Sequence, residues 1–416
     1  MASPTDTNAD AGATAPAAAD AASSAPGPLP PFAPACDPLA RVPLYPMEKL
    51  SSPLRIAVTG ASGYVAGAVV ARLLAAGHTV VATVRDPSNQ AIVGPLKALP
   101  GAAQRLELFA ADLLVPGSFD AALSGCEVVI HTASPFIINI KPGEGRARLV
   151  DPAVKGVENV IASIERTPSV TRLVLTSSIA AIMWSNPNKC RPGHHQYDET
   201  DWNGLASETV MPYAYSKTAA ERRAWELARG QSRWSLVAMC PGLVLGPPLS
   251  SRTDSESVAL VQRLVAGEMW PAAPPGGLSC VDVRDVAAAH CLAAVHPGAK
   301  GRYALVGADT DMRSLAGTVA GLYPGGRVWR PAFLLPRWLM VALAPLVGLP
   351  KDSAQYTMGF SSSFDTSKVR TELGLAFTPI EVTLRDMVED LAARGLARHP
   401  KPSAADPAAK QHLQKQ

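Results

Sequence analysis

Aromatic residues are scarce in this chain: Phe, Trp and Tyr together make up 6% of its 416 residues. No Lys/Arg-rich stretch carries interleaved aromatics, which disfavours a nucleic-acid partner. The formal net charge of +3 gives no argument for nucleic acid or an anionic membrane either. The six cysteines (Cys36, Cys126, Cys190, Cys240, Cys280 and Cys291) include no CxxC pair. That pattern suits a reducing, cytoplasmic setting with buried thiols rather than a disulfide framework. Residues 1–40 contain no Lys or Arg, the opposite of a basic targeting segment. Long apolar runs are missing too. The best candidate, residues 333–348, is broken by Arg337, Pro336 and Pro345, and falls short of the ~20 residues a bilayer requires. A buried or pocket-lining helix is the expectation there, with a weak membrane-surface contact as the alternative.

What is present is a chain 47% hydrophobic and long enough for a large core. Its first fifty residues, rich in Ala, Pro, Ser and Thr, are expected to be disordered, and so is the polar tail 399–416. Between them the pattern begins with an apolar strand (54–59), a glycine turn, a helix (64–76) and a second strand (79–85). Gly60, Gly63 and Gly67 are spaced GxxGxxxG, with Ser62, Tyr64 and Val65 among them. Glycine permits the tight turn and a close backbone approach to a pyrophosphate, which a helix N-terminus favours electrostatically. Placed between a buried strand and a small-residue helix, this turn points to a dinucleotide.

Apolar strands and helices keep alternating: strands at 106–110, 126–131, 173–177 and 235–240, helices at 149–166 and 213–229. The expected fold class is α/β, a Rossmann-type doubly wound parallel sheet. After Pro241 the alternation loosens, although 281–294 reads as a helix and 302–306 as one more strand. The organisation expected is a dinucleotide-binding domain over 51–248 and a smaller, mostly helical substrate lobe over 249–398, with segments returning to the core.

Ligands of such sheets bind beyond the carboxyl ends of the strands. Arg85 ends the second strand, where arginine suits a 2′-phosphate and an acid suits a 2′-hydroxyl; neighbouring Asp86 leaves some room for NAD. Asp112 and Leu113 end the third strand, and Asp112 is placed to accept from an adenine amino group. His131 ends the fourth as a core histidine, and Thr132, Ala133 and Ser134 after it are small enough for a cofactor to lie against their backbone. Ser178 follows the fifth strand. Tyr213 and Lys217 are one helical turn apart on one face. An ammonium beside a tyrosine stabilises its phenolate, and a serine hydroxyl can anchor a carbonyl oxygen. These are the parts of a carbonyl reduction. A second YxxxK, Tyr45 to Lys49, precedes the first strand and carries Pro46, which marks it as a decoy. Cys190, His194 and His195 lack a convincing fourth ligand for a metal, and no Gly-x-Ser-x-Gly elbow surrounds Ser178.

The motifs VTGASGYVAG (58–67), TVRDPSN (83–89), HTASP (131–135), VLTSSIAAI (174–182), PYAYSKTAAE (212–221) and PGLVLGPP (241–248) resemble the extended short-chain dehydrogenase/reductase superfamily. The resemblance is closest to its dihydroflavonol reductase, cinnamoyl-CoA reductase and yeast-type ketone/aldehyde reductase group. It implies an NADP-dependent reductase with Ser178, Tyr213 and Lys217 as its triad; a monomer or homodimer is expected. It also implies that Lys217 contacts the nicotinamide ribose and that Pro241, Gly242 and Val244 border the nicotinamide. Met183 stands where plant dihydroflavonol reductases carry a flavonoid-contacting asparagine, and NWYCY is replaced by 211–215. A more general reductase of aldehydes or ketones is therefore expected. An epimerase, dehydratase or 3-hydroxysteroid-type dehydrogenase is the alternative, and a non-catalytic NADP-sensing protein is a more distant one.

Overall fold

The computed structural model describes residues 41–134, 143–191, 193–249, 255–326, 328–347 and 351–400. The apolar strand β1 (Arg55–Thr59) leads into Gly60, whose φ of +65° is a left-handed conformation that glycine adopts freely. Helix α1 (Tyr64–Ala76) stops at left-handed Gly77, and β2 (Thr79–Val84) then lies parallel to β1 with Arg55 opposite Thr79. Helices α2 (Gln90–Lys97) and α3 (Ala102–Arg105) lead to β3 (Leu106–Ala110), and α4 (Asp120–Leu123) to β4 (Val128–His131). Next come α5 (Asp151–Glu165), β5 (Arg172–Thr176), β6 (Gly193–Tyr197), α6 (Pro212–Arg229), β7 (Ser235–Pro241) and β8 (Leu243–Leu245). The chain continues through α7 (Glu256–Ala266), β9 (Ala272–Ala273), β10 (Gly277–Asp282), α8 (Val283–Val295), β11 (Gly301–Leu305) and β12 (Ala308–Asp311). It ends with α9 (Met312–Leu322), β13 (Phe333–Leu334), α10 (Arg337–Leu343), α11 (Lys351–Thr357), β14 (Phe360–Phe364), α12 (Ser367–Glu372) and α13 (Ile380–Ala393).

Seven strands form one parallel sheet in the order β11-β7-β5-β4-β1-β2-β3. This is the Rossmann-type doubly wound arrangement. Its order reverses at β1, whose two neighbours are β2 and β4, and the crevice at that reversal is where such sheets take ligands. Val69, Leu73 and Leu74 of α1 and Val286, Ala289 and Leu292 of α8 share one buried cluster over one face. Val157, Val160 and Ile161 of α5 and Ala224 of α6 belong to the cluster over the other.

The C-terminal region is helical, with small sheets among the helices. β10 pairs with β8 and β12, β13 with β9, and β14 with β6. A third core joins α7, α9 and α13 through Val261, Leu315, Leu384 and Met387. The stretch 302–306 is indeed a strand of the main sheet, β11. The helix expected over 281–294 starts later, because Val281 and Asp282 pair with β8 and the Asp282 carboxylate then caps the N–H of Arg284.

Disorder through residue 50 is also corrected. From Arg41 onward the chain is packed. Arg41 pairs with Asp386 at 2.9 Å, and buried Glu48 accepts from the Arg72 guanidinium of α1 at 2.6 Å. A buried cation on α1 needs that carboxylate, and this anchors the segment. At the other end His399 reaches Glu389 at 3.1 Å. Residues 1–40, Pro135 and 401–416 lie outside the described residues.

Candidate active site

The glycine turn sits at the reversal point. A Cβ on Gly60 would stand 2.9 Å from that of Ala133, so β1 and the end of β4 approach this closely only because residue 60 has no side chain. Gly63 is the N-cap of α1, and no side chain caps that helix. Its first N–H groups, those of Tyr64 and Val65, are therefore available to an anion, as a pyrophosphate needs. The Tyr64 hydroxyl is spent on the Gly246 carbonyl, and Gly67 makes room for Leu249. Ser62 sits partly exposed in the turn itself.

Arg85 follows β2 directly and is exposed. It does not pair with its neighbour: Asp86 accepts from the backbone and hydroxyl of Ser88, which hold that carboxyl below its usual range. Among the described residues Arg85 makes no ion pair, which leaves its guanidinium to meet a phosphate. Asp112 accepts from Leu114 N at 2.8 Å in a tight turn, and the Leu113 carbonyl accepts from Asn159. Thr132 donates to the Thr59 carbonyl, and Ala133 N donates to the Thr59 hydroxyl. Pro241 ends β7, Gly242 donates to the Leu305 carbonyl, and Val244 lies in β8 opposite Val281.

Ser178, Tyr213 and Lys217 come together beyond the ends of β4 and β5. The Ser178 Oγ accepts from Ala180 N at 3.1 Å and hydrogen-bonds the Tyr213 phenol. Lys217 lines a small cavity with Ala133, Ser134, Thr176 and Ser177. Burial lowers its ammonium to about 8, and the Glu221 carboxylate works against that fall. The expected net lowering of the Tyr213 phenol is not met. Burial pushes that phenol up, and the Ser178 bond opposes it. Tyr213 is still partly accessible to solvent, so this is a crowded site with one open side. His131 is a core residue as expected. Its Nδ1 meets the Thr59 hydroxyl at 2.7 Å, and burial with the Lys217 charge lowers it to about 3, too low to protonate.

Three features escaped sequence reasoning. Glu221, one turn beyond Lys217, accepts from the Ser177 hydroxyl, from Trp225 at 3.1 Å and from the buried Arg302 guanidinium at 2.6 Å. Its spacing from Lys217 was the available signal, but its partner lies 81 residues away. Met211 and Trp184 adopt left-handed backbones (φ +53° and +59°) on either side of the site, a conformation that costs non-glycine residues of order 1–2 kcal/mol. Met211 turns the chain into α6, and Trp184 closes the loop after Ser178. Both belong to an apolar cluster with Met183, Tyr356 and Ala214, the residue that follows Tyr213.

The two rivals resolve into structure. His194 spends both ring nitrogens on Ser361 and Ser363 of β14, and His195 bonds the Arg191 carbonyl. Tyr45 of the decoy motif packs below Arg72 and meets Ala376 N, remote from Ser178 in the fold.

Residues 56–307 match the NAD dependent epimerase/dehydratase family. The chain is 36% identical over 344 residues to a cinnamoyl-CoA reductase of Medicago truncatula, covering 82% of this chain and 97% of the relative. It is 34% identical over 278 residues to a dihydroflavonol 4-reductase of Gerbera hybrida, covering 66% of this chain and 74% of that protein. Among solved structures, Gre2 of Candida albicans in complex with NADPH superposes with a TM-score of 0.66 at 26% identity, covering 82% of this chain and 99% of that one. With its sheet order, its glycine turn and more than half its length matched, the chain belongs to the NAD dependent epimerase/dehydratase family.

Proposed function

We propose that this oxidoreductase reduces the carbonyl of an aldehyde or ketone with NADPH, with Tyr213 as the proton donor. The observation that carries the reading is the Ser178–Tyr213 hydrogen bond beside Lys217, at the carboxyl ends of β4 and β5. The NADPH-bound Gre2 relative supports the cofactor. So do the uncapped start of α1, the side-chain-free approach at Gly60 and the Arg85 guanidinium, which makes no ion pair among the described residues. Gly60 to Val65 would hold the pyrophosphate, Arg85 the 2′-phosphate, Asp112 and Leu113 the adenine side, and Thr132 to Ser134 with Pro241 to Val244 the remainder. When bound, NADPH supplies the hydride.

The protein's own residues do the rest. Ser178 turns its hydroxyl from the phenol to the substrate oxygen and fixes the carbonyl against Tyr213. The raised phenol keeps its proton throughout the neutral range and releases it as negative charge develops on that oxygen. Lys217, positively charged below about pH 8, stabilises the phenolate left behind. The apolar cluster of Met183, Met211 and Tyr356, which includes Ala214 next to Tyr213, supports a substrate with a hydrophobic body. A screen of aldehydes and ketones, followed by NADPH oxidation, tests the reading together with Tyr213→Phe. The variant should lose at least about 10³-fold in kcat while its NADPH Kd changes less than about threefold. Retained turnover in Tyr213→Phe overturns the assignment.

A further inference from the structure

The large exposed apolar side chains of the C-terminal region are concentrated in one part of the chain. Trp338 is 71% exposed, Leu346 82%, Trp329 57% and Phe333 50%. Helix α10 buries no residue at all, although its sequence is RWLMVAL. Trp270 joins the group from the β9 side: its ring meets Trp329 edge-on at 5.8 Å, and β9 pairs with β13, the strand that contains Phe333. Apolar patches of this kind on a soluble surface mark an interaction site.

The charge of the same segment is one-sided. From Met312 to Lys351 the sequence contains Arg313, Arg327, Arg330, Arg337 and Lys351 and no Asp or Glu. Arg330 and Lys351 are exposed. Arg337 at the start of α10 donates to the carbonyls of Met358 (3.1 Å) and Gln355 (2.8 Å), which are neutral acceptors, and makes no ion pair among the described residues. Glu268, the acid nearest Trp270 in sequence, is paired with Arg263 at 3.2 Å. Whole-chain charge hides this, because +3 is the sum over many offsetting residues. Among the described residues no helix is long and apolar enough to cross a membrane.

We propose that α10 and the exposed apolar residues beside it, led by Trp338 and Leu346 and flanked in sequence by Arg330, Arg337 and Lys351, dock reversibly on an anionic lipid surface. Tryptophan favours the headgroup boundary because its ring is apolar with one polar N–H. Short amphipathic helices with Trp and Leu on one side and cations around them lie in that boundary without spanning it. The cations add attraction to anionic headgroups over a Debye length. A second copy of this chain fits less well, since a two-fold contact through this face would set basic residue against basic residue. Because Ser353 of α11 accepts from Met211 N at the start of the Tyr213 helix, a docked bilayer would lie beside the candidate active site.

The test is co-sedimentation of the full chain with phosphatidylcholine vesicles, with and without about a third phosphatidylglycerol. Binding should be about tenfold stronger on the anionic vesicles and released by about 0.5 M salt. Trp338→Ala with Leu346→Ser should cut it at least about fivefold, and Arg330→Glu with Lys351→Glu should abolish the preference for anionic lipid. These side chains are exposed, so an unchanged melting temperature and NADPH affinity would show that the variants fold. Equal sedimentation with both vesicle types, or none with either, would overturn the proposal. So would a Trp338-dependent dimer in light scattering with vesicle binding unaffected, which would assign the face to a second copy.

Discussion

Removing one carboxylate behind the active site should reveal how the catalytic end of α6 is held. Glu221 and Arg302 are 1% and 6% exposed at their side chains, and the guanidinium contacts both carboxylate oxygens at 2.6 and 3.2 Å. Glu221→Gln keeps the shape but leaves a buried cation without its anion, a change that typically costs 3–5 kcal/mol. The cost should lie near the low end, about 3 kcal/mol. Arg302 retains the carbonyls of Glu199 (3.0 Å) and Asp201 (2.6 Å) and the face of Trp202 at 3.9 Å. With a urea m-value of about 3 kcal/mol/M for a chain of this size, the unfolding midpoint should fall by about 1 M at unchanged m. Adding Arg302→Met removes the stranded charge and should recover about 1–2 kcal/mol, since an ion pair replaced by neutral side chains is often no less stable. The same Glu221→Gln protein should show a second effect. Glu221 helps keep Lys217 protonated, so the alkaline limb of kcat/KM should move to lower pH. A midpoint shift below about 0.3 M, or a double variant weaker than the single one, would refute the buried-pair reasoning.

Arg85→Ala should raise the NADPH Kd by about tenfold or more and the NADH Kd less than about twofold, because the contact proposed for this group is with the 2′-phosphate, which NADH lacks. Titration of both nucleotides decides it, and equal losses would count against the contact. In the reductive direction kcat/KM, which reports the free enzyme, should fall as pH rises through about 8, where Lys217 loses its proton. A profile flat between pH 7 and 9 would be incompatible with that role. Gly60→Ala should lower stability by about 2–4 kcal/mol, combining the left-handed backbone with overlap against Ala133. Differential scanning calorimetry with and without NADPH should show both a lower Tm and a smaller nucleotide-induced rise.

What was legible in the sequence was local. The β1–α1–β2 turn announces itself because glycine positions, strand and helix all fall within one short segment. The Tyr213–Lys217 pair is likewise a one-turn relation on α6, and the strand ends follow from apolar periodicity. Features that depend on distant partners were hidden. Nothing in residues 41–50 shows that Glu48 will meet Arg72 on α1, so composition alone read that stretch as disordered. The phenol of Tyr213 was expected to be lowered by its lysine, but its environment is set by packing around α6, which spacing does not encode. The start of α8 was misplaced because Val281 and Asp282 suit a helix equally well until β8 is beside them. The basic, apolar face around α10 was visible as composition, but only the fold leaves its tryptophans uncovered.

The passage of the chain between its two sheets sets how this scaffold can be cut and recombined. One residue, Gly242, separates β7 in the main sheet from β8 in the small one, and two residues separate β11 from β12 in the same way. A chimera joined near residue 248 would sever β11 from the edge of the main sheet and α8 from α1, while leaving β8 without β10. New specificity is therefore better introduced by exchanging loops within the existing weave than by transplanting a lobe. The double stitching also means that, among the described residues, the two sheets are joined at two crossings rather than by one linker that could act as a hinge.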